Sequence, residues 1–265
     1  MKDITVIIPI HKLDQNTETY FPNCIESIKT QNSQPQEVMI VHTNDDKLVT
    51  YLNDFDYGDL NVTKIINEGD TTFTGQVNFG VENVTTKWFS VLEFDDEYSN
   101  IWFENVEKYM THYDDVDIFL PLVVDTNEEG EFLSFTNEAV WAMNFSDNMG
   151  YLDNGCLLRY PNFQSSGMVI NKEKFEEIDG FKTSMKLTFV YEFLLRATYN
   201  DIKVFTVPKV GYKHVNMRNG SLFWDYRFDD NLRIESEEAK FWIETAKKEY
   251  FFTMDREIKF EPETE

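Results

Sequence analysis

Cysteine is scarce in this sequence, and long apolar runs are missing from it. Cys24 and Cys156 are the only cysteines among 265 residues, and they form no short-spaced pair. Their scarcity argues against a disulfide scaffold or a zinc site and is typical of a reducing compartment. No segment approaches the roughly 20 apolar residues of a membrane helix, and the first apolar stretch, Ile4–Ile10, is too short for a signal peptide. We therefore expect a soluble, cytoplasmic protein without a membrane partner.

Positive charge is also in short supply. The chain has 24 lysine and arginine residues against 48 aspartate and glutamate residues, a formal net charge of -24. Such a charge repels nucleic acid phosphate at long range, so tight binding of duplex DNA is disfavoured. The segment 196–233 is an exception, with seven basic side chains against four acidic ones. It could contact a bound anion, or it could be a solvated surface with scattered lysines.

The most informative feature is an apolar run that ends in carboxylates. Residues 89–98 read Phe-Ser-Val-Leu-Glu-Phe-Asp-Asp-Glu-Tyr. The apolar part suits a strand buried in a parallel sheet, and its carboxyl end would lie at the rim where open α/β sheets bind ligands. Carboxylates this close repel one another unless a cation shares the site, and oxygen ligands favour Mg²⁺ or Mn²⁺. The alternative interpretation is an acidic, solvated turn.

Short β-branched runs alternate with helical patterns along the first 125 residues. The predicted strands lie near 4–10, 38–41, 62–66, 89–92 and 117–124. The predicted helices between them lie near 20–31, 76–84 and 100–113, and later elements are helices at 172–178 and 189–199 and a strand at 204–207. This alternation predicts an α/β fold with a mostly parallel sheet flanked by helices.

Two parts of the chain depart from this rhythm. Residues 126–165 are rich in Asn, Ser and aromatic residues, and we expect a long excursion over the carboxyl rim of the sheet. Apolar residues at helical spacing between Ala239 and Tyr250 predict a helix docked on the body. The expected organisation is a main domain at 1–222 and a C-terminal helical extension at 223–265 that packs on it.

Several segments, taken in order, resemble the family 2 glycosyltransferases of the nucleotide-sugar-dependent GT-A fold. The strand Ile4–Ile10 with its proline, the helical segment 24–31 and the strand 37–41 are similar to the first three elements of that family. Gln76–Gly80 resembles a helix start that carries an Asn before a small residue. The resemblance extends over about residues 3–222.

The acidic strand end and the later helix continue this resemblance. Leu92–Asp96 is similar to the Asp-x-Asp signature of the family, with Glu93 in place of the first aspartate. Gly167–Phe181 resembles the segment that leads to the acceptor-side helix. The resemblance implies that Asp95 coordinates a divalent cation, Mn²⁺ or Mg²⁺, which bridges the donor diphosphate. It also implies that Glu93 lies near the ribose or a metal-bound water.

Other residues are expected to bind the nucleotide sugar, for which a UDP-sugar is the expected donor. The resemblance implies that Pro9, Ile10 and His11 line the base pocket and that Asn78 shapes it. The family usually has aspartates after the second strand, whereas this chain reads His-Thr-Asn, so Thr43 and Asn44 would offer neutral hydrogen bonds and the identity of the base stays open. The set is completed by Phe94, for which packing is the alternative role, and by Lys213 and Arg218 of the basic stretch.

Glycosyl transfer displaces a nucleoside diphosphate, so a cation aimed at the leaving phosphate lowers the barrier. Lys213 and Arg218 could add to the charge of a metal there. His214 could do the same, or it could be a further metal ligand, and the alternative is a structural surface histidine. The acceptor hydroxyl must also lose its proton to a base within hydrogen-bond reach.

The position of that base is the second departure from the family. Phe189 and Val190 stand where the family usually has an acidic pair, and Glu192 follows two residues later. Glu192 is the predicted catalytic base. The alternatives are Asp179, Asp153 or another acid of the 126–165 segment. An inverting enzyme is expected, although a retaining enzyme would need no base and stays possible.

The sequence thus predicts a metal-dependent glycosyltransferase that acts on a hydroxyl acceptor. The acceptor could be a glycan, a protein or a hydroxymethylated base of viral DNA, which would place the protein in a host cytoplasm. The loop Gly69–Gly75 lacks a P-loop pattern, which argues against a kinase or an ATPase. The alternative from another class is a non-catalytic module that keeps the fold and binds a nucleotide sugar or a glycan.

Overall fold

The computed structural model describes residues 3–138, 149–160 and 162–216, together with 218, 221 and 244. The strands are β1 (Ile4–Ile10), β2 (Glu37–His42), β3 (Val62–Ile66), β4 (Trp88–Val91), β5 (Glu97–Tyr98), β6 (Ile118–Thr126), β7 (Phe132–Thr136), β8 (Tyr151–Leu152), β9 (Val169–Asn171) and β10 (Val204–Val215). The helices are α1 (Gln15–Lys29), α2 (Asp46–Asp54), α3 (Phe73–Asn83), α4 (Trp102–His112), α5 (Asn154–Arg159), α6 (Lys172–Glu177) and α7 (Phe189–Tyr199).

One sheet organises these elements in the order β3-β2-β1-β4-β9-β6-β10-β5, with β7 paired to β6 and β8 paired to β10. The first four strands of this order run parallel, as do β6 and β10. Strand β9 runs antiparallel to both of its neighbours. The prediction of a mostly parallel α/β sheet is therefore confirmed, with β9 as a reversed strand between β4 and β6.

The central strand β1 is buried along its whole length. Its alternating side chains divide between two cores, because successive residues of a strand face opposite sides of the sheet. Ile4, Val6 and Ile8 belong to the core beneath α1, whereas Ile7 belongs to the core beneath α3. Helices on both faces leave the ends of the strands as the places where polar groups can gather.

Caps explain where several helices begin. Asp14 accepts from the backbone N–H of Thr17 at the start of α1, and Thr72 accepts from Gly75 at the start of α3. The sequence predicted no helix between β2 and β3, but α2 begins there because the side chain of Asp45 accepts from the backbone N–H groups of Lys47 and Leu48. Among the described residues no helix has the length and apolar character needed to cross a bilayer.

The 126–165 segment differs from the expected excursion over the carboxyl rim. It contributes strand β7 beside β6, strand β8 and helix α5. Strand β8 pairs with Val204 and Phe205, at the beginning of β10. Part of the segment therefore lies at the opposite end of the sheet from the carboxyl rim, where it covers the aromatic side chain of Phe205.

Strand β10 is longer than the predicted strand at 204–207. Its pairing with β6 shifts register between Thr206 and Val210, around Pro208, and then continues to Val215. The proline breaks the pattern that marks a strand in the sequence, but a bulge accommodates it and the ladder resumes. The second half of β10 thus reaches the carboxyl end of the sheet.

Residues 222–265, which hold almost all of the predicted C-terminal extension, lie outside the described residues except for Glu244. The charge of Glu244 contributes, after burial, to raising the pKa of Tyr191 on α7 to about 12. Glu244 therefore lies within electrostatic reach of α7. The boundary at 222 and the packing of the extension stay predictions.

A buried ion pair on α7 fixes the loop that follows α6. Both carboxylate oxygens of Glu192, which is fully buried, accept from Arg196 at 2.8 and 2.9 Å, and Lys182 approaches one of them at 2.9 Å. Arg196 in turn donates to the backbone carbonyls of Ile178 and Gly180. Because Glu192 neutralises the cation that holds these carbonyls, its charge is expected to be essential to the loop.

Glu192→Gln should therefore destabilise the fold by about 3 kcal/mol, because it removes the buried charge that pairs with Arg196 and Lys182. Urea unfolding followed by circular dichroism measures this. Glu177→Gln is the matched control: it breaks an exposed pair with Lys174 (2.7 Å) and should cost less than about 1 kcal/mol. Equal stabilities of the two variants would contradict the prediction.

Candidate functional site

The acidic turn after β4 is held between two strands. The backbone N–H of Leu92 donates to Ile7 on β1 (3.0 Å), and that of Glu93 donates to the hydroxyl of Tyr212 on β10 (3.1 Å). The N–H of Asp96 closes the turn on the carbonyl of Glu93 (3.1 Å). The chain then enters β5, which pairs antiparallel with β10. The carboxylates of this turn are thus fixed against the end of β10.

Three side chains from these elements converge at the carboxyl end of β4. One ligand atom from each of Glu93, Asp96 and His214 lies within 4.8 Å of the others. Asp96 is fully buried, and its two oxygens bond the Nδ1 of His214 and the backbone N–H of Val215, both at 2.9 Å. Ser166 donates to Glu93 Oε1 at 3.3 Å from the loop before β9.

The electrostatics of this cluster are those of a negative pocket. Burial raises the pKa of Glu93 to about 7, and the charge of Asp96 adds to this effect. Burial alone would lower the pKa of His214, but the charge of Asp96 and its hydrogen bond, helped by Glu93 and Asp125, raise it to about 10. His214 therefore carries a proton at neutral pH, which a bound metal ion would have to displace.

The cluster is chemically suited to a divalent cation. It offers two carboxylates and one imidazole. Mn²⁺ binds both kinds of ligand, whereas Mg²⁺ prefers the carboxylate oxygens. The raised pKa values of Glu93 and His214 are those expected of groups in a negative potential, which also favours a metal cation. The residues that could hold the ion are Glu93, Asp96 and His214, and the use of Asp95 as a ligand stays a prediction.

Asp95 faces a different partner. Its carboxylate forms a buried ion pair with Arg218, and both side chains are less than a tenth exposed. The Arg218 guanidinium lies 5.5 Å from the ring centroid of Tyr20 and 5.8 Å from that of Phe94. The ring centroids of His11 and Phe94 are 6.5 Å apart, and the two rings are T-shaped to each other. A cation from the basic stretch thus lies beside the acidic turn, between two aromatic rings.

The residues predicted to line a base pocket lie at the carboxyl end of β1. Pro9 and Ile10 end the strand, and Thr43 donates to the carbonyl of His11 at 3.0 Å. Burial, followed by the charge of Lys12, lowers the pKa of His11, so its ring is neutral at pH 7. Asn44 donates to Glu68 at 3.3 Å from the neighbouring loop. These residues are brought together, and their binding roles stay predictions.

Three other predicted residues have partners away from the cluster. The side-chain amide of Asn78 donates to the carbonyl of Phe181 at 2.7 Å and accepts from its backbone N–H at 3.0 Å. Lys213 bonds Glu97 at 2.8 Å and, by strand alternation, faces the opposite side of β10 from His214. Glu192 belongs to the ion pair with Arg196 and Lys182. The binding and catalytic roles expected of these three residues stay predictions.

Several residues of the site were not expected from the sequence. Asp96 stood next to the predicted ligand Asp95, but only the turn shows which of the two faces His214. Ser166 and Tyr212 reach Glu93 from distant segments. Gln76 donates to the carbonyl of Ile10 at 3.3 Å from the start of α3. Two of these residues had a signal in the sequence. Asp96 belongs to the acidic run that resembles the Asp-x-Asp signature, and Gln76 opens another segment that resembles a family motif.

Comparisons with known proteins identify the family and the fold. The sequence profile described as "Glycosyl transferase family 2" matches residues 5–178. A search of curated proteins found no match to the sequence. Among solved structures, residues 1–349 of S. aureus TarS in complex with UDP-GlcNAc superpose with a TM-score of 0.61 at 15% identity, over 98% of this chain and 77% of that chain.

Two further TarS structures give the same fold. The complex of residues 1–349 with UDP has a TM-score of 0.58 at 14% identity, over 91% of this chain and 78% of that chain. A longer S. aureus TarS structure has a TM-score of 0.57 at 14% identity and is covered over 49% of its length by 94% of this chain. This chain therefore spans about half the length of that relative. Because the family profile takes in well over half of the chain, the protein belongs to glycosyl transferase family 2, with the GT-A fold.

Proposed function

We propose that this protein is a metal-dependent glycosyltransferase that transfers a sugar from a UDP-sugar to a hydroxyl acceptor. The observation that carries the proposal is the convergence of Glu93, Asp96 and His214 at the carboxyl end of β4. In a family 2 glycosyltransferase this end of the sheet is where an open α/β fold binds its ligand. A divalent ion held by this cluster would attract the anionic diphosphate of a nucleotide sugar.

The donor assignment is supported by two independent points. The neighbouring TarS structures contain UDP-GlcNAc and UDP. In this chain Pro9, Ile10 and His11 end β1, and Thr43 fixes the backbone of His11. His11 is neutral at pH 7, so it can act as either donor or acceptor toward a base. Thr43 and Asn44 supply neutral hydrogen-bonding groups at the next strand.

Glu93, Asp96 and His214 would hold a divalent cation, Mn²⁺ or Mg²⁺. Bound there, the ion would neutralise the charge that develops on the leaving diphosphate. Arg218 supplements it with a fixed guanidinium, which suits phosphate oxygens. Asp95 orients that guanidinium through their buried ion pair, and the rings of Tyr20 and Phe94 lie within cation–π distance of it. Lys213 contributes only at longer range from the other face of β10.

The acceptor proton needs a base, and the predicted base is Glu192. Its burial and its pairing with Arg196 and Lys182 favour a structural role. The two roles separate in the variant Glu192→Gln, because loss of a catalytic base lowers the rate about 10² to 10⁴-fold in protein that is still folded. A loss of folded protein with an unchanged rate per folded molecule assigns Glu192 to the loop. If Glu192 is the catalytic base, the proposed reaction inverts the configuration of the anomeric carbon.

A second candidate is a binding module without turnover, which one observation favours. Phe189 and Val190 occupy the positions where the family usually has acidic residues, and the nearby acid Glu192 is paired. Such a module would bind UDP and a divalent ion but release no product. The acceptor classes that remain for an enzyme are a glycan, a protein or a hydroxymethylated DNA base, the last being disfavoured by the net charge of -24.

Incubation with Mn²⁺ and a panel of UDP-, GDP- and TDP-sugars should release nucleoside diphosphate slowly, because water can replace the acceptor. UDP-sugars should give the fastest release, and EDTA should abolish it. A coupled assay for free UDP measures the rate. Binding of UDP in calorimetry without release from any donor would support the binding module instead.

Asp96→Asn should weaken Mn²⁺ binding about 100-fold or more, since it removes one ligand and the charge that orients another. The electron paramagnetic resonance signal of free Mn²⁺ measures the affinity in the presence of UDP. Asp54→Asn, an exposed acid at the end of α2, is the matched control and should bind as the unchanged protein does.

Asp95→Asn distinguishes the two acids of the turn. If Asp95 serves mainly to orient Arg218, this variant should keep Mn²⁺ affinity within about tenfold while it weakens UDP binding. Loss of Mn²⁺ binding in Asp95→Asn together with its retention in Asp96→Asn would overturn the proposed ligand set and favour Asp95.

A further inference from the structure

One face of helix α1 lies along the acidic turn. The thiol of Cys24 donates to the carbonyl of Glu93 at 3.6 Å. The hydroxyl of Ser27 accepts from the backbone N–H of Tyr98 at 3.1 Å. Residues three and four apart share a face of a helix. Tyr20, four residues before Cys24, therefore extends this face by one turn, and its side chain is half-buried there.

Tyr20 contacts two opposite charges from distant parts of the chain. The guanidinium of Arg218 lies 5.5 Å from the centroid of its ring. Its hydroxyl donates to Oε1 of Glu128, in the turn between β6 and β7, at 3.5 Å. Burial and then the charge of Glu128 raise the pKa of Tyr20, whereas the charge of Arg218 opposes that rise. The ring and the hydroxyl of one side chain thus serve two different partners.

Arg218 depends on side-chain contacts for its orientation, because it lies beyond Val215, the last residue of β10. Its buried guanidinium pairs with Asp95 and lies 5.8 Å from the ring centroid of Phe94. An arginine side chain has several rotatable bonds, and fixing them costs conformational entropy. Aromatic rings offset part of that cost, because a buried cation is attracted to their faces. Tyr20 therefore shares with Asp95 and Phe94 the task of fixing this cation.

Arg218 also lies within electrostatic reach of the proposed base pocket. Its charge is one of the causes, after burial and the charge of Lys12, that lower the pKa of His11. The ring of Phe94 lies beside both groups, since it is T-shaped to His11 and close to the guanidinium. A diphosphate attached to a base beside His11 would thus come close to this cation.

We propose that Tyr20 is a positioning residue, which holds the guanidinium of Arg218 in place for the diphosphate of the donor. The inference rests on the proposed function, in which Arg218 supplements the charge of the divalent ion. A guanidinium that is already fixed loses less entropy when it binds phosphate oxygens, so it binds them more tightly. The ring of Tyr20 carries this effect, and its bond to Glu128 helps to keep the ring in place.

Tyr20→Leu should weaken UDP binding about tenfold in the presence of Mn²⁺, because it removes the ring beside the guanidinium. Tyr20→Phe keeps the ring and should stay within about threefold of the unchanged protein. Isothermal calorimetry on the full chain measures both affinities. Binding of Mn²⁺ alone, followed by electron paramagnetic resonance, should be the same in all forms.

Tyr109→Leu is the matched control. Tyr109 is also half-buried, but it lies on α4, where its ring packs against Tyr113 and against Phe205 at the beginning of β10. This variant removes a ring of equal size at the other end of β10 from Arg218. It should bind UDP as the unchanged protein does.

A double variant tests whether Tyr20 acts through Arg218. Arg218→Met removes the guanidinium, so adding Tyr20→Leu should weaken UDP binding no further. Arg218→Met leaves the buried Asp95 without its partner and could unfold the protein. The same comparison is therefore repeated with Asp95→Asn added to both forms, which removes the unpaired charge.

Three outcomes would overturn the role of Tyr20. The first is equal UDP affinity of Tyr20→Leu and the unchanged protein. The second is an equal loss in Tyr20→Phe, which would assign the effect to the bond with Glu128. The third is a further tenfold loss when Tyr20→Leu is added to Arg218→Met. Absence of UDP binding to the unchanged protein with Mn²⁺ would overturn the proposed function, and this inference with it.

Discussion

The site depends on the hydrogen bonds that the carboxylate of Asp96 accepts at the end of β10. One buried carboxylate bonds both the imidazole of His214 and the backbone of Val215. It therefore ties the turn after β4 to a strand that is distant in sequence by more than a hundred residues. It acts together with the hydroxyl of Tyr212 and the pairing of β5 with β10, which also hold the turn against this strand.

Charge compensation explains why an acidic chain keeps a short basic stretch. The turn holds several carboxylates in a buried place, where like charges repel strongly. His214 pairs with Asp96, and Arg218 pairs with Asp95. The two cations therefore compensate the charges of the two buried aspartates. Glu93 is left to share the remaining negative potential, which is why its pKa rises to about 7. The negative potential that raises the pKa values of Glu93 and His214 would also attract a divalent ion.

The sheet separates two chemically different ends. The carboxyl end gathers the acidic turn, Arg218 and the loop around His11, which suit a metal ion and a phosphate. The other end holds the acidic side chains of Asp115, Asp153 and Asp201 around an open pocket. Between them α7 locks the loop after α6 through Glu192 and Arg196. A residue that looks catalytic by its place in the sequence thus has a structural partner, and its remaining chemical role is open to measurement.

The sequence by itself determined the α/β alternation, the family and the acidic rim, because apolar periodicity and the order of motifs are local properties of the chain. It also placed α7 at Phe189–Tyr199, where the helical pattern is unbroken. The sequence did not predict α2, because an aspartate such as Asp45 is equally common at helix N-caps and in turns. Only the tertiary structure decided which carboxylate of the turn meets His214, and that β8 and Asn154 lie at the far end of β10. Such choices depend on strand pairing and register between distant segments, and no local pattern encodes them.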